Sequence, residues 1–202
     1  MLLDVCLGTR TAWKILLLMS EAPGKVLTRK QIKEHTKIGN KVLVKFLTLL
    51  EKFDVVQTTK KGRIHQYKLN VANKFTKAVI DIIQNEHRQL NAMYFGSLIV
   101  VREFVYELTN LNLSNIEKII LFGSVAKHTA TVHSDIDIAI VTKENVTPKE
   151  QLLHTHICGQ LEKRFGKTIQ IHYFTKEEFE KTDNKLVREI STDGLILVGV
   201  DS

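Results

Sequence analysis

Residues 121–141 read LFGSVAKHTATVHSDIDIAIV, and this stretch decides the fold of the C-terminal half. An apolar strand over 117–122 runs into Gly123-Ser124, and Ser124 to Lys127 opens a helix. A second strand, SDIDIAIV, follows at 134–141. In a strand, residues two apart face the same side, so Asp135 and Asp137 are expected together, ~7 Å apart along the chain. Two ionised carboxylates this close repel each other, and burial raises the cost unless a cation lies between them. Hard oxygen donors suit Mg²⁺ or Mn²⁺, which complete their shells with water and substrate phosphates. Gly123-Ser124 lets backbone N–H groups approach an anion at a helix start. One element is thus expected to hold phosphates and the other a metal ion, which orients a nucleoside triphosphate for attack at its α-phosphate.

The flanks agree with this reading. Pro148 to Phe165 is expected to be a helix, 167–174 a strand, 176–192 a further helix, and LILVGV at 195–200 a last strand. Strands alternating with helices give a sheet with helical cover.

The N-terminal part has a different pattern. Residues 11–20 form a helix that Pro23-Gly24 ends. Thr28 caps a short helix, Arg29 to Thr36, with Ile32 inward. After Gly39-Asn40, the segment Lys41 to Phe53 repeats Leu43, Phe46, Leu47, Leu50 and Phe53 on one face. Lys41, Lys45, Thr48 and Lys52 fall on the other. VVQTT, the turn Lys60-Lys61-Gly62-Arg63 and IHQYKLN then form a hairpin. Residues 74–109 contain two helices, or one broken near Gly96. The expected organisation is 1–70, a helical connector 71–112, and 113–202.

Charge follows the same division. Residues 1–70 carry 14 Lys and Arg against 5 Asp and Glu, whereas residues 113–202 carry 11 against 13. A front at +9 suits a polyanion, and the back does not. No stretch is apolar enough for a membrane span. The N-terminus lacks the basic region of a signal peptide. Cys6 and Cys158 are too isolated for a disulfide framework or a zinc site, so a reducing cytoplasm is the expected location.

The segment LFGSVAKHTATVHSDIDIAIV resembles the core of the DNA polymerase β-type nucleotidyltransferase superfamily, and most of all the minimal nucleotidyltransferases of archaea and bacteria. The resemblance covers roughly residues 115–175. It implies an α+β fold with a mixed sheet flanked by helices. It implies metal ions, Mg²⁺ or Mn²⁺, on Asp135 and Asp137. It also implies nucleotide phosphates on Gly123, Ser124 and Ser134, and transfer of a nucleotidyl group, commonly from ATP. Relatives of this size often modify a partner protein in toxin–antitoxin pairs, which makes a partner protein one expected acceptor.

Two departures from the family pattern matter. The basic residue and glycine of GSxARG are here Lys127 and His128, and Lys127 keeps the charge without the guanidinium fork. The third carboxylate falls on Gln170, which cannot act as a general base. His172 shares that strand face, and Glu162 or Glu177 could supply an acid nearby. Nucleotide binding is therefore expected more firmly than turnover. A transcriptional regulator that binds nucleotide without transfer is the alternative.

Residues 10–70 resemble a winged helix-turn-helix. Asn40, Lys41 and Lys45 would then meet bases or phosphates in a major groove, with Lys60, Lys61 and Arg63 on backbone phosphates. Fused proteins of similar layout imply double-stranded DNA, with RNA open. A small helical domain and a protein-binding winged helix are the competing readings. The apolar faces of 74–109 have no evident cover in the sequence, so a homodimer through them is also expected.

Overall fold

The computed structural model describes residues 8–86, 93–111, 114–181 and 183–199. Cys6 lies outside them. The chain divides into two compact units, residues 1–91 and 92–202.

The first unit begins with α1 (Arg10–Ser20), whose Ile15, Leu16 and Met19 are buried. A short strand β1 (Leu27–Thr28) leads into α2 (Arg29–Thr36). Thr28 caps α2 as expected, its hydroxyl accepting from the Gln31 N–H while Gln31 reaches back to the Thr28 N–H. This reciprocal box satisfies two donors that the helix start leaves free. Helix α3 (Asn40–Lys52) buries Leu43, Leu47 and Leu50 and leaves Lys41, Lys45, Thr48 and Lys52 exposed.

The hairpin strands β2 (Val56–Lys61) and β3 (Ile64–Leu69) pair antiparallel around Gly62, at φ 62°. Strand β1 pairs with the other edge of β3, giving the order β1-β3-β2. It is too short to show alternation, so no sequence pattern marks it. Tyr67 is buried where β1 and β3 meet. Helix α4 (Lys74–Glu86) completes the unit, with Val79, Ile80 and Ile83 buried.

The second unit starts with α5 (Phe95–Thr109), where Leu98, Val101, Phe104 and Leu108 are buried. The segment expected to be one connector is thus shared, α4 to the first unit and α5 to the second. Most of the apolar residues expected to lie open on these helices are buried in the single chain, and Ile82 stays exposed. That removes most of the physical reason for expecting a dimer there.

Strands β4 (Ile116–Phe122), β5 (Ile136–Thr142), β6 (Ile169–Thr175) and β7 (Leu195–Val198) form one mixed sheet in the order β6-β5-β4-β7. The pairs β4–β5 and β4–β7 are antiparallel, and β5–β6 is parallel. The parallel pair needs a crossover, which α7 (Pro148–Phe165) supplies. Thr147 and Glu150 cap the start of α7, and Gly166, at φ 69°, ends it.

The two sheet faces differ in what they carry. Ile136, Ile138 and Ile140 point to one face and are fully buried. On that side, His154 of α7 meets the Tyr173 hydroxyl at 2.9 Å. The other face carries Ile120, Phe122, Ala139 and Val141, packed with Ile190, Phe174, Phe179, Leu186 and Ile196. Asp137 belongs to this second face, at its β5 entry end.

The expected helix over 176–192 is two helices, α8 (Lys176–Glu180) and α9 (Lys185–Asp193). Thr175 caps the first, and Asn184 caps the second through the Leu186 N–H. Side chains of this kind favour a new helix start over continuation. Strand β5 also begins later than expected, at Ile136, so Asp135 stands at its threshold and not within it.

Candidate nucleotide site

The turn after β4 is built on Gly123. It has φ +69°, a region in which any Cβ is strained. A Cβ there would also fall on the Asp137 carboxylate, with Oδ2 inside contact distance and Cγ at 3.1 Å. The register explains the proximity, because Phe122 lies directly opposite Asp137. The backbone of the turn thus rests against the carboxylate, and only glycine permits this.

Helix α6 (Gly123–Ala126) is a single turn, so its dipole is smaller than a longer helix would bring. Lys127 follows it, and His128 then takes φ +56° in the place where the family pattern has glycine. The Thr129 N–H closes the turn onto the Ser124 carbonyl at 3.0 Å.

The carboxylates occupy unequal surroundings. Asp135 is exposed and Asp137 is half-buried. Burial pushes the Asp137 carboxyl up; the positive field of His172 opposes this, while the negative charges of Asp135 and Glu189 add to it. The parallel register sets Gln170 beside Asp137 and His172 beside Ala139. Gln170 and His172 therefore share the sheet face of Asp137. The Gln170 amide Nε2 donates to Asp135 Oδ2 at 2.9 Å. The His172 ring stands edge-on to Phe122, centroids 5.3 Å apart. Glu162 is engaged elsewhere, accepting from the Thr168 hydroxyl at 3.0 Å.

Ser134, an expected phosphate contact, and the basic Lys127 are both committed to other partners. The Ser134 hydroxyl accepts from the Thr131 N–H at 2.9 Å and shapes its own loop. Lys127 Nζ pairs with Glu189 at 2.7 Å and Asp193 at 3.1 Å, both on α9. These pairs raise its pKa, the hydrogen bond to Glu189 foremost.

Sequence reasoning missed Lys167. It is buried, and its Nζ donates to the Ser134 carbonyl at 3.0 Å. Burial lowers its pKa, partly offset by Asp135. The signal lay in the register, because Gln170 opposite Asp137 puts Lys167, three residues earlier, level with Ser134. Glu189 and Asp193 were also missed, and nothing local marks them.

Asn40, Lys41, Lys45, Lys60, Lys61 and Arg63 are all exposed. The first three lie at the start of α3, and the others surround the hairpin turn.

The mixed four-stranded sheet with flanking helices is consistent with a nucleotidyltransferase fold. Residues 107–202 match the family described as "Polymerase beta, Nucleotidyltransferase". No curated protein matches the chain. A chain in the crystal structure of a toxin-antitoxin with AMP-PNP is 20% identical, with TM-score 0.38, covering 49% of this chain and 73% of that one. A mutant of the toxin-antitoxin MntA-HpeT is 21% identical, with TM-score 0.37, covering 50% of this chain and 72% of that one. Among the described residues, no helix is long and apolar enough to cross a membrane.

Proposed function

We propose that the C-terminal domain is a metal-dependent nucleotidyltransferase that takes a nucleoside triphosphate, ATP first among the candidates. It transfers the NMP group to an acceptor, for which the family resemblance points to a partner protein. The contact of Gly123 with Asp137 carries this reading. It brings the backbone of the turn, read as the approach for phosphate oxygens, and the Asp137 carboxylate, read as a metal ligand, to one point.

The residues present fit one ion. Asp135 and Asp137 supply hard oxygens, and burial of Asp137 beside a second carboxylate makes a divalent cation favourable there. Among the described residues, no group of three or more His, Cys, Asp and Glu is placed to hold a metal. Two carboxylates suit an ion that arrives with the nucleotide and keeps phosphate and water in its other positions. The metal, when bound, neutralises phosphate charge. The chain's own residues do the rest. Gly123 and Ser124 seat the phosphates, Lys167 holds the Ser134–Asp135 backbone, and His172 is the neighbouring group able to take a proton.

A second reading has its own support. The Gln170 amide occupies one Asp135 oxygen and cannot replace a carboxylate. That favours a regulator that binds nucleotide without transferring it. In either case residues 1–70 are read as a winged helix that binds double-stranded DNA. The support is the exposure of Asn40, Lys41, Lys45, Lys60, Lys61 and Arg63 together with the concentration of basic charge. The segment of residues 71–112, whose helices divide between the two units, is read as carrying the joint between the two activities.

Incubation with α-labelled ATP and Mg²⁺ separates the readings. Label transfer by the wild type, lost in Asp137→Ala, supports the enzyme. DNA affinity that responds to ATP without any transfer supports the regulator.

A further inference from the structure

Lys127 stands at the family's basic position, where a phosphate ligand is the obvious assignment. The geometry points to a different role: Lys127 is a positioning residue that ties the phosphate-binding turn to α9 and so holds Gly123 against Asp137. This inference rests on the nucleotide-binding reading above and assigns it a structural lever.

Both ends of the tether are defined. At one end, the Lys127 N–H bonds the Gly123 carbonyl at 3.1 Å, so the lysine backbone closes the same turn that presents Gly123. At the other, Nζ reaches Glu189 and Asp193, one helical turn apart on α9. Helix α9 is itself fixed, because Val187 and Ile190 are buried and Ile190 belongs to the apolar cluster that includes Ile120 and Phe122 of the sheet. A lysine with two carboxylates has little positive field left to offer a triphosphate. The second carboxylate leaves the cluster net negative, and the Glu189 charge reaches Asp137. A turn that must stay in contact with a carboxylate, despite strain at His128, needs such an anchor.

The two roles give opposite signs for one experiment on the full chain. If Lys127 binds phosphate, removing both α9 carboxylates frees it and tightens ATP binding. If Lys127 is a tether, Glu189→Gln with Asp193→Asn loosens the turn and weakens ATP binding. The probe is ATP with Mn²⁺, followed by titration calorimetry. The expected result is a loss of about tenfold in the double variant and a similar loss in Lys127→Met, with Lys127→Arg close to wild type. Hydrogen exchange over residues 123–128 gives a readout that needs no nucleotide. Protection is expected to fall in both Lys127→Met and the double variant, and to survive in Lys127→Arg. Tighter ATP binding in the double variant, or unchanged exchange in Lys127→Met, overturns the tether. If the wild type binds no ATP, the nucleotide reading fails, and the exchange data still decide whether Lys127 holds the turn.

Discussion

Gln170 donates its amide Nε2 to Asp135 Oδ2 at 2.9 Å, while its backbone lies in register with Asp137. One side chain therefore shares the sheet face of Asp137 and occupies one oxygen of Asp135. A carboxylate in that place would repel Asp135 and Asp137 until a cation arrived. The glutamine adds no such repulsion.

Gln170→Glu is accordingly expected to raise Mn²⁺ affinity by about tenfold, since added ligand charge tunes such sites. The same change is expected to lower stability without metal by about 1 kcal/mol through like-charge repulsion. Titration calorimetry with Mn²⁺ and thermal unfolding with and without it measure both effects. Equal Mn²⁺ affinity in the two proteins would show that residue 170 does not face the metal position.

Gly123→Ala tests the contact that carries the functional reading. The left-handed φ costs about 1–2 kcal/mol for any residue with a Cβ. The collision with the Asp137 carboxylate adds overpacking of about 1–3 kcal/mol. Asp137→Ala removes the oxygens in the way, so the double variant is expected to recover the second part and not the first. A double-mutant cycle on unfolding free energies measures this coupling. Strict additivity would mean that the two groups do not touch.

The fold of the second unit was legible because its signals are local. Alternating isoleucines, Gly123-Ser124 and the Thr147 cap each act within a few residues. The pairing of Gln170 with Asp135 was half legible, since register puts the strand in place but not the direction of an amide. The role of Lys127 was hidden for a physical reason. Its partners Glu189 and Asp193 lie more than 60 residues away, and a helix surface has no motif that reveals what it faces. In the first unit, β1 escaped because two residues cannot show a period.

Asp137 also sets a pH dependence. Burial and the neighbouring charges of Asp135 and Glu189 outweigh His172 and place its folded-state pKa above the ordinary carboxylate value. Ionisation is thus harder in the folded protein, so this residue lowers stability as pH rises from the unfolded value through the folded one. At neutral pH, Asp137→Asn is expected to stabilise the protein by about 0.5–1 kcal/mol, reduced because the group is half exposed. The gain should disappear below the carboxylate range, where both proteins are neutral at this position. Mg²⁺ should stabilise the wild type and not the variant. Thermal unfolding from pH 3 to pH 8 measures the difference, and a gain that grows toward acid would reverse the assignment.

Lys167 is predicted to be a stability determinant of the loop that carries Ser134 and Asp135. Lys167→Met keeps most of the buried stem and removes the donor to the Ser134 carbonyl. An unsatisfied carbonyl costs about 1–3 kcal/mol. The loss of positive charge beside Asp135 should also tighten divalent binding at that carboxylate. Unfolding in urea and Mn²⁺ titration are therefore expected to move in opposite directions. A parallel loss of stability and Mn²⁺ affinity would show that Lys167 orders Asp135 more than it competes with the metal.

The basic first unit gives a prediction that depends on salt. If Lys60, Lys61 and Arg63 lie on DNA phosphates, replacing all three by Ala removes the counterion release that their charges drive. The slope of log K against log salt should then fall by roughly 0.9 for each phosphate left without its cation, or about 2.7 in total for duplex DNA. Asn40→Ala, at the start of α3, should instead leave the slope unchanged and weaken only some sequences, because base recognition specifies without releasing counterions. Fluorescence anisotropy on a duplex at several KCl concentrations separates these outcomes. An unchanged slope in the triple variant would take the hairpin turn off the DNA, and affinity that is negligible at all salt concentrations would favour a protein partner for this unit.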